Sequence, residues 1–229
     1  MTPPPAAAAS RLLLASASPR RRELLALLGV RFTVVVSRFD EAALAVTVSD
    51  PVDYVRRAAE GKADDVARRR AGIVLGVDTD VVAPDGSILG KPRDAADAER
   101  MLRLLSGATH TVYSAVALVV SEGPRGAAGT ASPAHRDVRV VGTRVTFGDL
   151  GDAALRAYVA TGEPRDKAGA YAIQGGALPF VTRVDGDLSN VIGLPLWTTA
   201  EMLVAAGVPL WENPDAGGHD APSRTPDDA

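Results

Sequence analysis

Short apolar runs bounded by turn residues alternate along this chain with segments whose leucines recur at helical spacing. Residues 11–15 form such a run, which ends in Ser16-Ala17-Ser18-Pro19, and Leu24, Leu25, Leu27 and Leu28 then precede Gly29. This predicts strand, turn and helix, with Ser18 as N-cap, Pro19 at the first helical position and Gly29 as the stop. Residues 31–36 are rich in β-branched side chains and predict a second strand, followed by a polar loop carrying Phe39-Asp40-Glu41. Asp50-Pro51 opens a helix to about Arg70, which Gly61 interrupts just before Lys62.

Residues 73–77 predict a short buried strand ending in Asp78-Thr79-Asp80, and residues 81–89 a hairpin turning at Asp85-Gly86. A helix is expected over 94–106, capped by Asp94 and closed by Gly107. The β-type runs 109–120 and 137–147 predict a hairpin, with the Gly-, Ala-, Pro- and Ser-rich residues 121–136 as a flexible surface insertion. A helix over 150–159, a Gly-rich segment over 162–176, a strand over 179–184 and a mostly helical stretch over 190–206 follow. After Trp211 large apolar residues cease, so 1–10 and 212–229 are expected as disordered tails around one domain spanning 11–211. Strands alternating with helices, hairpins included, predict an α/β fold with a mixed twisted sheet flanked by helices.

Composition narrows the chemistry this layout can carry. With 25 basic and 28 acidic residues the net charge is −3, so nothing draws the chain as a whole to nucleic acid or to an anionic membrane. A polyanion must be met by a local basic cluster. Cysteine is absent, which excludes disulfides, thiolate metal sites and a cysteine nucleophile and fits a reducing compartment. Residues 1–10 lack the basic and apolar regions of a leader, and no run approaches the roughly 18 apolar residues of a membrane helix, so a cytoplasmic location is expected. Among the basic residues only Lys62, Lys91 and Lys167 are lysine, which marks them as positions that need a compact point charge.

Arg20-Arg21-Arg22 follow Ser18-Pro19 at the start of the first predicted helix. Backbone N–H groups there bind anions and arginine forks grip phosphate oxygens, whereas cations without a ligand oppose the helix dipole at about 0.3–1 kcal/mol each. Asp78 and Asp80, and Asp40 and Glu41, stand at the ends of two strands, bordering the crevice where α/β sheets bind ligands, and carboxylates gathered there can hold a hard divalent cation. The plain alternative for each cluster is a solvated polar face or a helix cap. His110, His135 and His219 show no ligand spacing, and two of them fall in segments expected as loop or tail. No P-loop, Gly-x-Ser-x-Gly or His-Glu-x-x-His motif occurs. Asp78-Thr79-Asp80 resembles the first motif of haloacid-dehalogenase-type phosphohydrolases, but Val81-Val82 stand where that motif continues with Gly-Thr.

Six blocks in order carry a more specific resemblance. Leu14-Ala15-Ser16-Ala17-Ser18-Pro19-Arg20-Arg21, Asp40-Glu41, Lys62-Ala63, Gly76-Val77-Asp78-Thr79, Leu89-Gly90-Lys91-Pro92 and Ser189-Asn190-Val191-Ile192-Gly193-Leu194-Pro195 resemble the Maf family of nucleoside triphosphate pyrophosphatases from about Leu12 to Ala206. Residues 162–175, from Gly162-Glu163-Pro164 to Gln174-Gly175, are similar to its branch acting on dTTP and UTP. The resemblance implies a Maf/ITPase-like architecture with an active-site cleft. It also implies hydrolysis of dTTP, UTP and modified pyrimidine triphosphates between the α and β phosphates with a divalent cation, Mg²⁺ or Mn²⁺. Asp78, Lys62 and Lys91 match its catalytic positions, Glu41 and Asp78 its metal ligands, and Ser16, Arg20, Arg21, Thr79 and Gln174 its substrate positions. A nucleoside triphosphate is the implied partner, along with a second copy of the chain. The departures are Val77, Asp80 and the extra residues 121–136.

The chemistry agrees with what the resemblance implies. Gln174 offers one donor and one acceptor, which match the N–H and carbonyl edge shared by uracil and thymine and absent from cytosine. A reading of another class, a nucleotide-binding regulator of septum formation without turnover, gives an intact base at Asp78 no purpose.

Overall fold

The computed structural model describes residues 11–122 and 135–211. The expected tails 1–10 and 212–229, and positions 123–134 of the expected insertion, lie outside the described residues.

Among the described residues seven strands form one mixed sheet, the α/β architecture expected from the alternation of periods. Strand β1 (Leu12–Leu14) lies parallel between β2 (Phe32–Val34) and β3 (Ala71–Val82), and β5 (Thr109–Glu122), β6 (His135–Phe147) and β7 (Val181–Asp185) continue antiparallel from β3. The two-residue β4 (Ile88–Leu89) folds back antiparallel on Val81 and Val82, the hairpin expected at Asp85-Gly86. Helices α1 (Pro19–Ala26), α3 (Pro51–Ala67) and α4 (Ala95–Leu105) begin at the expected caps, with Ser18, Asp50 and Asp94 each accepting a backbone N–H. The last described elements are α5 (Asp152–Ala160), β7, and two helices, α6 (Leu188–Ile192) and α7 (Leu196–Ala205), separated by Gly193-Leu194-Pro195.

Alternation along β3 decides what meets what. Ile73, Leu75 and Val77 point to the face covered by α1 and α7, where Leu24, Leu25, Met202 and Leu203 bury them. Val74 points to the opposite face, under Val55, Ala59 and Ala63 of α3. A third core gathers α4 and α5 with Phe147, Tyr171 and Ile173 at the far end of the sheet. The same alternation puts Asp78 and Asp80 on the α3 face and Thr79 on the α1/α7 face.

Four expectations are corrected. Strand β3 does not stop at Val77, because β5 pairs with it from Ala71 to Val82, so Asp78-Thr79-Asp80 lie within the strand. The polar loop after β2 is shorter than expected: Asp40 caps helix α2 (Glu41–Thr47), which buries no residue and so left no apolar stripe to read. Helix α3 runs uninterrupted through Gly61, whose missing side chain makes room for the Phe39 ring. Ser121 and Glu122 end β5, and His135 and Arg136 begin β6, so four positions of the expected insertion are strand and His135 is not in a loop.

Candidate active site

A cleft of about 650 Å³ opens where the β1–α1 turn, the start of α2, α3, the middle of β3 and the segment 166–174 meet. The nine residues matched by the resemblance line it, Ser16, Arg20, Arg21, Glu41, Lys62, Asp78, Thr79, Lys91 and Gln174, as do Asp80 and Lys167, whereas Asp40 does not and instead caps α2.

The acidic wall follows from the close approach of α3 to β3. A side chain at Gly76 would collide with the Ala59 carbonyl and come within 2.7 Å of the Ala63 nitrogen, so glycine there lets the helix lie against the strand. That contact carries Lys62 to Asp78. The buried Lys62 Nζ donates to Asp78 Oδ1 at 2.6 Å and to Glu41 Oε2 at 2.7 Å, joining two carboxylates that come from α2 and β3. Asp80, on the same face, is 9% exposed and its Oδ2 has no hydrogen-bond partner. Burial, and next the charge of Asp78, push its carboxyl up to about 7, with Lys62 opposing. Tyr54, an isolated aromatic on α3 that no sequence pattern marked, also lines this wall; burial and the charges of Asp80, Asp78 and Glu41 raise its phenol, which stays a donor.

These donors fit a divalent cation in a specific way. Glu41 Oε2 and Asp78 Oδ1 converge on the Lys62 ammonium, which fills that point, so an ion would take the other oxygen of each carboxylate, while the buried Asp80 Oδ2 has no hydrogen-bond partner. Yet among the described residues no group of three His, Cys, Asp or Glu side chains is arranged to hold a metal. Such a set suits an ion of the Mg²⁺ type, which takes one or two carboxylates and completes its shell with water and substrate phosphates.

Across the sheet, Thr79 and the β1–α1 turn form a latch. Arg21 Nε donates to the Gly193 carbonyl at 3.0 Å, Nη1 to Ser16 Oγ at 3.2 Å and Nη2 to Thr79 Oγ1 at 3.1 Å. Burial lowers the pKa of this guanidinium, and Asp78, Glu41 and Asp80 oppose the shift. Thr79 Oγ1 also lies 2.8 Å from Ser114 Oγ, which donates to the Asn190 carbonyl. Asn190, fully buried, donates through Nδ2 to the Val112 carbonyl and Thr143 Oγ1. Arg21 and the Ser189-Asn190 block therefore tie the β1–α1 turn to α6, and each donor face of Arg21 already has a protein acceptor. Arg20 is freer: among the described residues its one ion pair, to the exposed Asp166, is long at 3.8 Å.

The remaining cations stand on the other lip. Lys91 is exposed and Lys167 pairs with the exposed Asp166, and the two segments are joined by Gly169 N–H donating to the Gly90 carbonyl at 3.2 Å. Gln174 projects from a turn whose base is Tyr171 and Ile173, both buried. His110 is buried beneath this wall, its Nε2 2.9 Å from the Tyr171 hydroxyl, and burial alone pulls it down to about 4. It is a neutral core residue.

Residues 11–206 match the family described as Maf-like protein. The chain is 50% identical over 194 residues to a dTTP/UTP pyrophosphatase of Anaeromyxobacter dehalogenans, covering 84% of this chain and 93% of that protein. It is 48% identical over 186 residues to one of Geotalea uraniireducens, covering 81% and 89%. Among solved structures, a HAM1 protein from Coxiella burnetii aligns over 86% of this chain and 99% of its own, with a TM-score of 0.41 and 14% identity.

Proposed function

Since the chain belongs to the Maf-like family, we propose that it is a nucleoside triphosphate pyrophosphatase that hydrolyses dTTP and UTP, and pyrimidine triphosphates modified at the base, to the monophosphate and pyrophosphate. The relatives' activity supports the reading. The observation that carries it is the arrangement of one cleft: a buried, lysine-held carboxylate on one wall, the cations Arg20, Lys91 and Lys167 on the other, and an amide side chain on a turn between them.

Each residue then has a task. Asp78, oriented by Lys62, takes the proton from the water that attacks the α phosphorus. Lys62 holds Asp78 and Glu41 in one geometry through its two ion pairs. Arg20, Lys91 and Lys167 face the β and γ phosphates and stabilise the charge that collects on departing pyrophosphate. Arg21, Ser16 and Thr79 hold the turn on which the phosphates rest. Gln174 pairs with the N–H and carbonyl edge of uracil or thymine. A divalent cation bound by Glu41, Asp78 and the phosphates would supply Lewis-acid charge and a more acidic water.

Hydrolysis of dTTP in oxygen-18 water with Mg²⁺ tests the bond that breaks. The expected products are labelled dTMP and unlabelled pyrophosphate, with no dTDP. Early dTDP with free phosphate, the pattern of an aspartyl-phosphate mechanism at Asp78, would reject the proposal, as would nucleotide binding without turnover.

A further inference from the structure

Nothing among the described residues hydrogen-bonds the exposed side chain of Gln174, so its direction is set by the backbone that carries it. That backbone is a tight turn, closed by Gly175 N–H donating to the Ala172 carbonyl at 3.0 Å. Both ends of the turn are held from behind by one pair of side chains. The Tyr158 hydroxyl accepts from Ala172 N–H at 3.1 Å and donates to Glu163 Oε1 at 2.9 Å. Glu163 accepts from Gly176 N–H with both carboxylate oxygens, at 3.1 and 3.0 Å. Neither side chain lines the cleft.

The pair is itself anchored. Tyr158 is 5% exposed, with its ring edge-on to Phe180 at 5.2 Å. Glu163 N–H donates to Thr161 Oγ1, which donates to the Tyr158 carbonyl at 2.7 Å, so the carboxylate and the hydroxyl are parts of one rigid corner after α5. Gly175 rests on that corner: a side chain there would come within 2.7 Å of Glu163 Cδ. A carboxylate is well suited to the task, because its charge strengthens the bonds from Gly176 and its two oxygens leave no room for the turn to tilt.

We propose that Tyr158 and Glu163 are positioning residues for base recognition, a brace that sets where Gln174 meets the nucleobase. The inference rests on the role of Gln174 given above. It separates base choice from phosphate chemistry, because the side-chain hydrogen bonds of the brace go to the turn that carries Gln174 and none goes to Asp78 or Lys62.

The experiment measures kcat and KM separately for UTP, dTTP and CTP in Tyr158→Phe, Glu163→Gln and Glu163→Ala, each alone and combined with Gln174→Ala. Losing one such hydrogen bond should lower the UTP-to-CTP ratio of kcat/KM by about tenfold in Tyr158→Phe and Glu163→Ala, through a raised KM for UTP. The kcat for UTP should stay within about threefold, and Glu163→Gln, which keeps one acceptor for Gly176, should fall between wild type and Glu163→Ala. In the Gln174→Ala background the brace variants should lower the ratio no further, as expected of residues that act through Gln174. A purely structural role would instead lower kcat for every nucleotide alike through a reduced folded fraction, and leave the ratio unchanged. An unchanged ratio in Tyr158→Phe and Glu163→Gln, or a further fall in the Gln174→Ala background, would overturn the brace while leaving the pyrophosphatase reading intact. A wild-type enzyme that hydrolyses UTP and CTP equally well would overturn the role of Gln174 and the brace together.

Discussion

Replacing Lys62 with methionine removes one charge and little else, because methionine keeps an unbranched apolar stem of similar length against α3 and β3. What remains is Asp78, whose side chain is 7% exposed, without the ammonium that stands 2.6 Å from it, and beside it the buried Asp80. Removing one partner of a buried ion pair costs about 3–5 kcal/mol. The contact to Glu41 adds little, since that side chain is 48% exposed and solvent screens it. For a chain of this size about 3 kcal/mol corresponds to a fall of roughly 6–12 °C in melting temperature. The cost belongs to the stranded carboxylate, so Lys62→Met/Asp78→Asn should be more stable than Lys62→Met alone, by about 1–3 kcal/mol of coupling. Thermal unfolding followed by circular dichroism at pH 8, for wild type, both single variants and the double variant, closes the cycle. A Lys62→Met protein that melts within about 2 °C of wild type, or a double variant no more stable than it, would refute the reasoning that Lys62 compensates Asp78.

Asp78→Asn should lower turnover of dTTP by at least about 100-fold with the fold intact, measured as pyrophosphate release beside a circular dichroism spectrum. Gln174→Ala should flatten the ranking of kcat/KM among dTTP, UTP, CTP and GTP more than it lowers hydrolysis of any one; an unchanged ranking places Gln174 outside the base pocket. Asp80→Val removes a buried carboxylate oxygen that has no partner and suits a strand, so it should raise stability by about 1–3 kcal/mol, read as a higher melting temperature. His110, held near 4 in the folded chain against 6.5 unfolded, takes up its proton more readily when unfolded. Stability should therefore be full above about pH 6.5 and fall as the pH drops toward 4, by about 3 kcal/mol. Denaturant titrations across that window should show a smaller slope in His110→Phe.

Local signals were enough to read most of the elements. Ser18-Pro19, Asp50-Pro51 and Asp94 start helices where they stand because a cap answers N–H groups two or three residues away, and Asp85-Gly86 turns a hairpin for an equally local reason. The blocks around Ser16, Lys62, Asp78 and Lys91 likewise named residues that the fold gathers in one cleft. What no local pattern held was the pairing between distant segments. Asp78-Thr79-Asp80 lie inside β3 because β5, some thirty-five residues later, hydrogen-bonds along it, and only the strand's alternation under α3 and α1 sends Asp78 to Lys62 and Thr79 to Arg21. Helix α2 hides because it buries no residue, and Tyr54 and Tyr158 because a single aromatic on a helix has no period to read, while the block that includes Glu163 gives it no task. Sequence periodicity records which face of an element is buried. Which side chain waits on the other side of that face is settled by contacts across the fold, where Gly76 lets α3 approach β3 and a carboxylate behind the cleft holds the turn that faces it.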